Sequence, residues 1–133
     1  MQPADIVGTW RMVGYHNRTA AGQELPQSYG PEPIGLIRFD AHGRMVVVIA
    51  DGRLDLAPGV ERRPFTAYTG QWEFDGKILR TAVDESFLKE FVGQTQVREA
   101  RYVDGRLSLI PPPITINGVE NFRELIWEKI PGS

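Results

Sequence analysis

The chain contains no cysteine. That excludes a disulfide framework, a thiolate nucleophile and any cysteine-ligated metal. Histidine is almost as scarce: only His16 and His42 occur. No transition-metal site is expected from this pair, and a haem barrel with its proximal ligand in the C-terminal half would lack that ligand. Neither sign of charge dominates, with 15 Lys and Arg against 17 Asp and Glu. The basic residues are scattered and not interleaved with aromatics on one strand face. Neither nucleic acid nor an anionic membrane surface is therefore expected as a partner. No apolar run approaches the roughly 20 residues of a membrane helix. The start, Met1-Gln2-Pro3-Ala4-Asp5, lacks the basic and apolar stretches of a signal peptide, which makes the cytoplasm the expected location. There is no Gly-x-Ser-x-Gly elbow, P-loop or dinucleotide fingerprint, and no cofactor is expected.

What the chain does have is a regular alternation of short and long connections. Ala41-His42-Gly43, Asp75-Gly76-Lys77 and Asp104-Gly105 are tight turn signals. Between them lie longer stretches: Arg18 to Pro33, Asp51 to Phe65, Phe87 to Gly93 and Pro111 to Asn121. The intervening segments read as strands: Ile6–His16, Leu36–Asp40, Arg44–Ala50, Ala67–Phe74, Ile78–Glu85, Thr95–Val103, Arg106–Ile110 and Phe122–Ile130. Consecutive connections of an antiparallel meander fall at opposite ends of the sheet. All the tight turns therefore gather at one end and all the long loops at the other. About eight strands is the number at which a closed barrel just holds side chains or one small ligand. The expectation is one all-β domain over residues 1–133, shaped as a cup with a tight floor and an elaborated mouth. Helix is scarce, and Phe87 to Val92 is the place for a single turn.

Alternate residues of a strand point to opposite sides, so parity assigns faces until a bulge reverses them. If Trp10 points inward, so do Met12, Gly14 and His16. Tyr68, Gly70, Trp72 and Phe74 share one face of their strand. Gln96 and Arg98 face inward in theirs, as do Arg123, Leu125 and Trp127 in the last. Arg38, or its neighbour Ile37, faces inward at the start of the second strand. Trp10, Trp72 and Trp127 read as core, and His42 as a solvated turn residue.

Near the mouth this parity brings together His16, Arg38, Tyr68, Gln96, Arg98 and Arg123. The loops add Phe87 and Phe91, with Tyr29, Phe65 and Ile114 beside them. An apolar pocket with a few convergent polar groups is the usual make-up of a small-molecule site. Two inward arginines favour a ligand carrying a carboxylate, enolate or phenolate. In the competing reading, Arg98 and Arg123 pair internally with Glu85, Glu124 or loop carbonyls and only close the barrel. A second function would be a cofactor-free isomerase, cyclase or decarboxylase acting on a natural-product-like molecule, with His16 or Tyr68 moving a proton. A third is an interaction module or homodimer. The run Met45-Val46-Val47-Val48-Ile49 is apolar on both faces, and Val13 and Tyr15 are expected to face outward beside it.

Gly8-Thr9-Trp10 is similar to the Gly-x-Trp signature of lipocalins and the wider calycin superfamily. With Tyr29-Gly30-Pro31-Glu32-Pro33-Ile34-Gly35, Asp40-Ala41-His42-Gly43-Arg44-Met45, Gln96-Val97-Arg98, Asp104-Gly105-Arg106-Leu107-Ser108-Leu109 and Glu124-Leu125-Ile126-Trp127-Glu128, it resembles the bacterial and fungal lipocalin-like domain family over nearly the whole chain. The resemblance implies an eight-stranded antiparallel up-and-down β-barrel, usually intracellular, without the secretion or carrier behaviour of true lipocalins. The expectation of a small hydrophobic or amphiphilic ligand comes from the mouth residues instead. Lipocalins also place an arginine from the C-terminal strand region over the floor tryptophan. Here Lys129 stands at the matching place, which implies a cation–π contact without a planar stack.

Overall fold

A computed structural model describes residues 1–56 and 58–133. The short helix α1 (Pro3–Ile6) leads into β1 (Gly8–Arg18), β2 (Pro33–Phe39), β3 (Arg44–Asp51), β4 (Phe65–Phe74) and β5 (Ile78–Ser86). One 3-10 turn (Lys89–Phe91) precedes β6 (Thr95–Val103), β7 (Arg106–Ile110), β8 (Ile114–Ile116) and β9 (Val119–Lys129). Every neighbour is antiparallel, in the order β1-β2-β3-β4-β5-β6-β7-β9, and β1 pairs with β9 to close the sheet. The barrel therefore has eight staves, with β8 as a short extra strand attached to β9. Closure removes most of the free edge an open sheet would present, leaving backbone unpaired where β1 and β2 separate beyond Arg11. Among the described residues no helix is long and apolar enough to cross a membrane.

The tight turns and the long loops do segregate to opposite ends. At the floor the β4–β5 turn is held by Asp75, whose carboxylate accepts from Lys77 N at 2.9 Å and Ile78 N at 2.7 Å. The β6–β7 turn places Asp104 and Gly105 at φ 52° and 77°. Positive φ at both central positions matches the right-handed twist of the flanking strands, which is why Asp-Gly suits this turn.

The core packs against this floor. Trp10 is 1% exposed, and its Nε1 donates to Ile6 O at 2.9 Å. Tyr102 meets it edge-on at 6.5 Å, and Lys129 Nζ lies 5.6 Å from the ring centre, as the lipocalin resemblance implied. Gly8 of the signature has φ 136°, and a Cβ there would stand 2.6 Å from Lys129 Cε. Only glycine lets the lysine stem pass beneath the indole.

Four expectations need correcting. A bulge between Met12 and Gly14 reverses the parity of β1 above it, so Tyr15 and Asn17 turn inward and His16 outward. Tyr15 therefore does not belong to an outer apolar face. In β2, Ile37 is buried while Arg38 is exposed, its Nη1 donating to Thr9 Oγ1 at 2.9 Å. The segment Pro111 to Asn121 is a hairpin rather than a plain loop, with Ile114–Ile116 paired to Val119–Asn121 across Asn117-Gly118. Trp72 is only partly buried at the margin of the core. The long connection between β3 and β4 includes Ala57, which lies outside the described residues.

Candidate functional site

Above the floor the barrel stays hollow. A cavity of about 150 Å³ reaches from the mouth down to Met45, Leu79 and Trp127. Its apolar wall includes Ile37, Met45, Val47, Leu79, Leu109 and Trp127. Met45 and Val47 alternate along β3, and Leu125 and Trp127 along β9, as inward faces require.

The polar groups come from several elements. Arg98 on β6 donates from Nη2 to Gln96 Oε1 at 3.0 Å and from Nη1 to Val97 O at 2.8 Å. Arg123 on β9 donates from Nη2 to Pro112 O at 3.0 Å, while its buried Nε has no partner among the described residues. Neither guanidinium pairs with Glu85 or Glu124 among the described salt bridges. For Arg123 the internal pairing weighed from sequence thus reduces to one loop carbonyl. Burial pushes the Arg123 guanidinium below its ordinary value, with Arg98 adding repulsion against the nearby tyrosines' opposite influence. Arginine keeps its charge nonetheless, so the site carries two poorly compensated positive groups.

Three tyrosines share the cavity with them. Tyr15 reaches it because of the bulge, and Tyr29 folds in from the loop 19–32 with its ring 5.9 Å from Tyr15, edge to face. Tyr68 meets Phe91 edge-on at 6.3 Å. Burial, reinforced by Tyr15 and Tyr68, pushes the Tyr29 hydroxyl up to about 12, and burial also raises Tyr68. Both remain protonated near neutral pH and act as hydrogen-bond donors. No carboxylate or histidine is among the lining residues. This environment can hold an anion but offers no ready group to withdraw a proton.

Loop 19–32 is tied down. Asn17 Nδ2 donates to Pro26 O and Leu25 N to Asn17 O, filling the gap where β1 and β2 separate beyond Arg11. Asp51 is fully buried and paired with Arg53, and the backbone at Gly30 lies directly against the pair. The Arg53 hydrogen bonds hold the Asp51 carboxyl down to about 2, against the opposing effect of desolvation.

Of the residues expected at the site, Tyr68, Gln96, Arg98, Arg123 and Phe91 line the cavity. His16, Arg38 and Phe87 do not. His16 lies opposite Glu124 in the β1–β9 ladder and borders shallow outer grooves with Arg18 and Phe122. Phe87 is 55% exposed and packs on Phe65, ring centres 4.2 Å apart, on the outside of the barrel. Phe65 and Ile114 are likewise exposed. The lining also includes Tyr15, Thr66 and Leu88, which sequence reasoning missed. Gly14 was the signal for Tyr15, since a lone glycine inside a strand marks a bulge. Thr66 shares parity with Tyr68 and needed only a strand begun one residue earlier.

Compared with curated proteins, the chain finds no match. A family model described as a lipocalin-like domain matches residues 7–130, a span that includes the Gly-x-Trp floor, all nine strands and the lined cavity. The chain belongs to the lipocalin-like domain family.

Proposed function

We propose that the barrel, working in the cytoplasm, binds a small, largely apolar molecule through one anionic group. The observation that carries this reading is the pair Arg98 and Arg123, both facing a cavity whose lining contains no carboxylate. An unpaired buried donor costs about 1–3 kcal/mol, and more when charged. An anion supplied by a ligand relieves that cost and gains charge-assisted hydrogen bonds. The size of the ligand follows from the volume. A dry apolar cavity of about 150 Å³ accommodates a benzene ring, so a single ring or short branched chain with compact substituents fits here. Tyr15, Tyr29 and Tyr68 add neutral donors around such an anion.

The enzymatic alternative draws less support. With His16 outside, the cavity retains Tyr68, which burial keeps protonated. It can donate to a developing oxyanion but cannot serve as a base near neutral pH.

Calorimetric titration with benzoate, phenylacetate and the matching alcohols tests the reading. The acids should bind more tightly than the alcohols, and Arg98→Met and Arg123→Met should each erase that preference. Equal binding of acid and alcohol, unaffected by either substitution, would refute it.

A further inference from the structure

The three tryptophans of this chain are not treated alike. Trp10 Nε1 donates to Ile6 O at 2.9 Å and Trp72 Nε1 to Asp40 O at 3.1 Å. Trp127 is 1% exposed, yet its Nε1 has no partner among the described residues. Trp127 is also the one tryptophan that lines the cavity. Thr66 repeats the pattern, with a buried Oγ1 lacking a partner and a place on the cavity wall. Buried polar groups in folded proteins are nearly always paired, and an exception calls for a reason. Two of them on one lumen, besides Arg123 Nε, share one.

Topology separates Trp127 from the arginine site. Arg123 and Trp127 lie on the same strand, four residues and so about 13 Å apart at Cα, with Trp127 nearer the floor. Thr66 sits on β4, four strands from β9 in either direction round the barrel, in one ladder row with Ile49 and Gly35. A Cβ on Gly35 would stand 3.3 Å from Trp127 Cη2, so the far edge of the indole already fills the space toward β2. The ring is wedged, and reorientation toward a protein acceptor is blocked on that side.

We infer that the ligand carries a second, uncharged acceptor oxygen of the ketone or ether type, remote from its anionic group, which receives Trp127 Nε1–H with the Thr66 hydroxyl as an auxiliary donor. The ligand class is thus an oxo- or alkoxy-substituted small acid rather than a plain hydrocarbon acid. This rests on the anion-binding reading above and adds a polarity requirement beside Trp127. The unpaired groups here are the Trp127 N–H, which can only donate, and the Thr66 hydroxyl, so an acceptor is the complementary group. A hydrocarbon in its place would leave the indole N–H unpaired.

The test uses two probes of matching shape, 4-acetylbenzoate and 4-isopropenylbenzoate, titrated into the full chain. The wild type should favour the acetyl compound by roughly tenfold, the size of one hydrogen bond between well-placed partners. Trp127→Phe should bring that ratio close to one while the isopropenyl affinity changes little. Thr66→Val, a near-isosteric change, should reduce the ratio part of the way and carries the test should the phenylalanine variant fail to fold. In ¹⁵N-labelled protein one indole N–H resonance, the one lost in Trp127→Phe, should move downfield with the acetyl probe only. Equal affinity of the two probes for wild type, or a ratio retained in both variants, overturns the second acceptor site while leaving the arginine site standing. Failure of both acids to bind overturns the anion reading, and this inference with it.

Discussion

The floor and the mouth of this barrel are built on opposite principles from the same strands. At the floor, polar atoms that enter the interior are satisfied: Trp10 Nε1 by a carbonyl, the Asp75 turn by its own carboxylate, the Lys129 charge by an indole face and solvent. Around the cavity above it, Arg123, Trp127 and Thr66 are left with buried unpaired atoms. A region that exists only to be stable has no use for such atoms, since each subtracts from a net stability of a few kcal/mol. The contrast therefore separates the half that holds the fold from the half proposed above to meet a ligand.

The comparison predicts substitutions of opposite sign in the two halves. The largest effect belongs to the floor. Trp10→Ala should cost about 3–5 kcal/mol and lower Tm by more than about 10 °C, as read by calorimetry. A loss below 1 kcal/mol would break the assignment of the floor as the main source of stability. At the mouth, Arg123→Met should leave Tm unchanged or raise it, because it removes a poorly compensated buried charge. The same variant should weaken benzoate binding by roughly tenfold or more, the value of a hydrogen bond to a charged group. A marked fall in Tm would show the arginine to be structural and erase the distinction.

The Asp51–Arg53 pair sharpens the contrast through pH. The Asp51 carboxyl sits at about 2 in the fold against an ordinary 3.8. A depressed carboxyl stabilises fully above its unfolded value, and that contribution is lost as pH falls from about 4 toward 2. Thermal melts across this window should show a decline that Asp51→Asn flattens, with loop 19–32 losing order first by hydrogen exchange. The smallest expected effect returns to the floor: Lys129→Met keeps the stem under Trp10 but loses the cation–π contact, at about 0.5–1 kcal/mol.

Much of the floor was legible in the sequence, and less of the mouth. Asp75-Gly76 and Asp104-Gly105 announce tight hairpins because turn geometry is decided by the φ preferences of two adjacent residues. Asn117-Gly118 carried the same signal, yet Pro111-Pro112-Pro113 just before it reads as loop and masked a three-residue strand. Parity placed Gln96, Arg98 and Arg123 correctly on the lumen wall because β6 and β9 run without interruption there, and Tyr68 on β4 because that strand's register shift at Thr69/Gly70 lies just beyond it. It misplaced His16 and Tyr15 because the bulge at Met12/Gly14 arises from the register of β1 against β9, more than a hundred residues away. Phe87 and Phe91 divided between outside and inside because the 3-10 turn, tighter than an α-helix, pairs Phe91 with Leu88 rather than with Phe87.

The order of residues alone determined the hairpins, the alternation of strand faces and the separation of short from long connections, because each depends on neighbours a few positions apart. Which side chains turn into the lumen above the bulge, and which of their polar atoms go unpaired there, was decided only when β1 met β9. Pairing across the whole chain sets register, and register selects the residues that share an enclosed space and the partners they can reach.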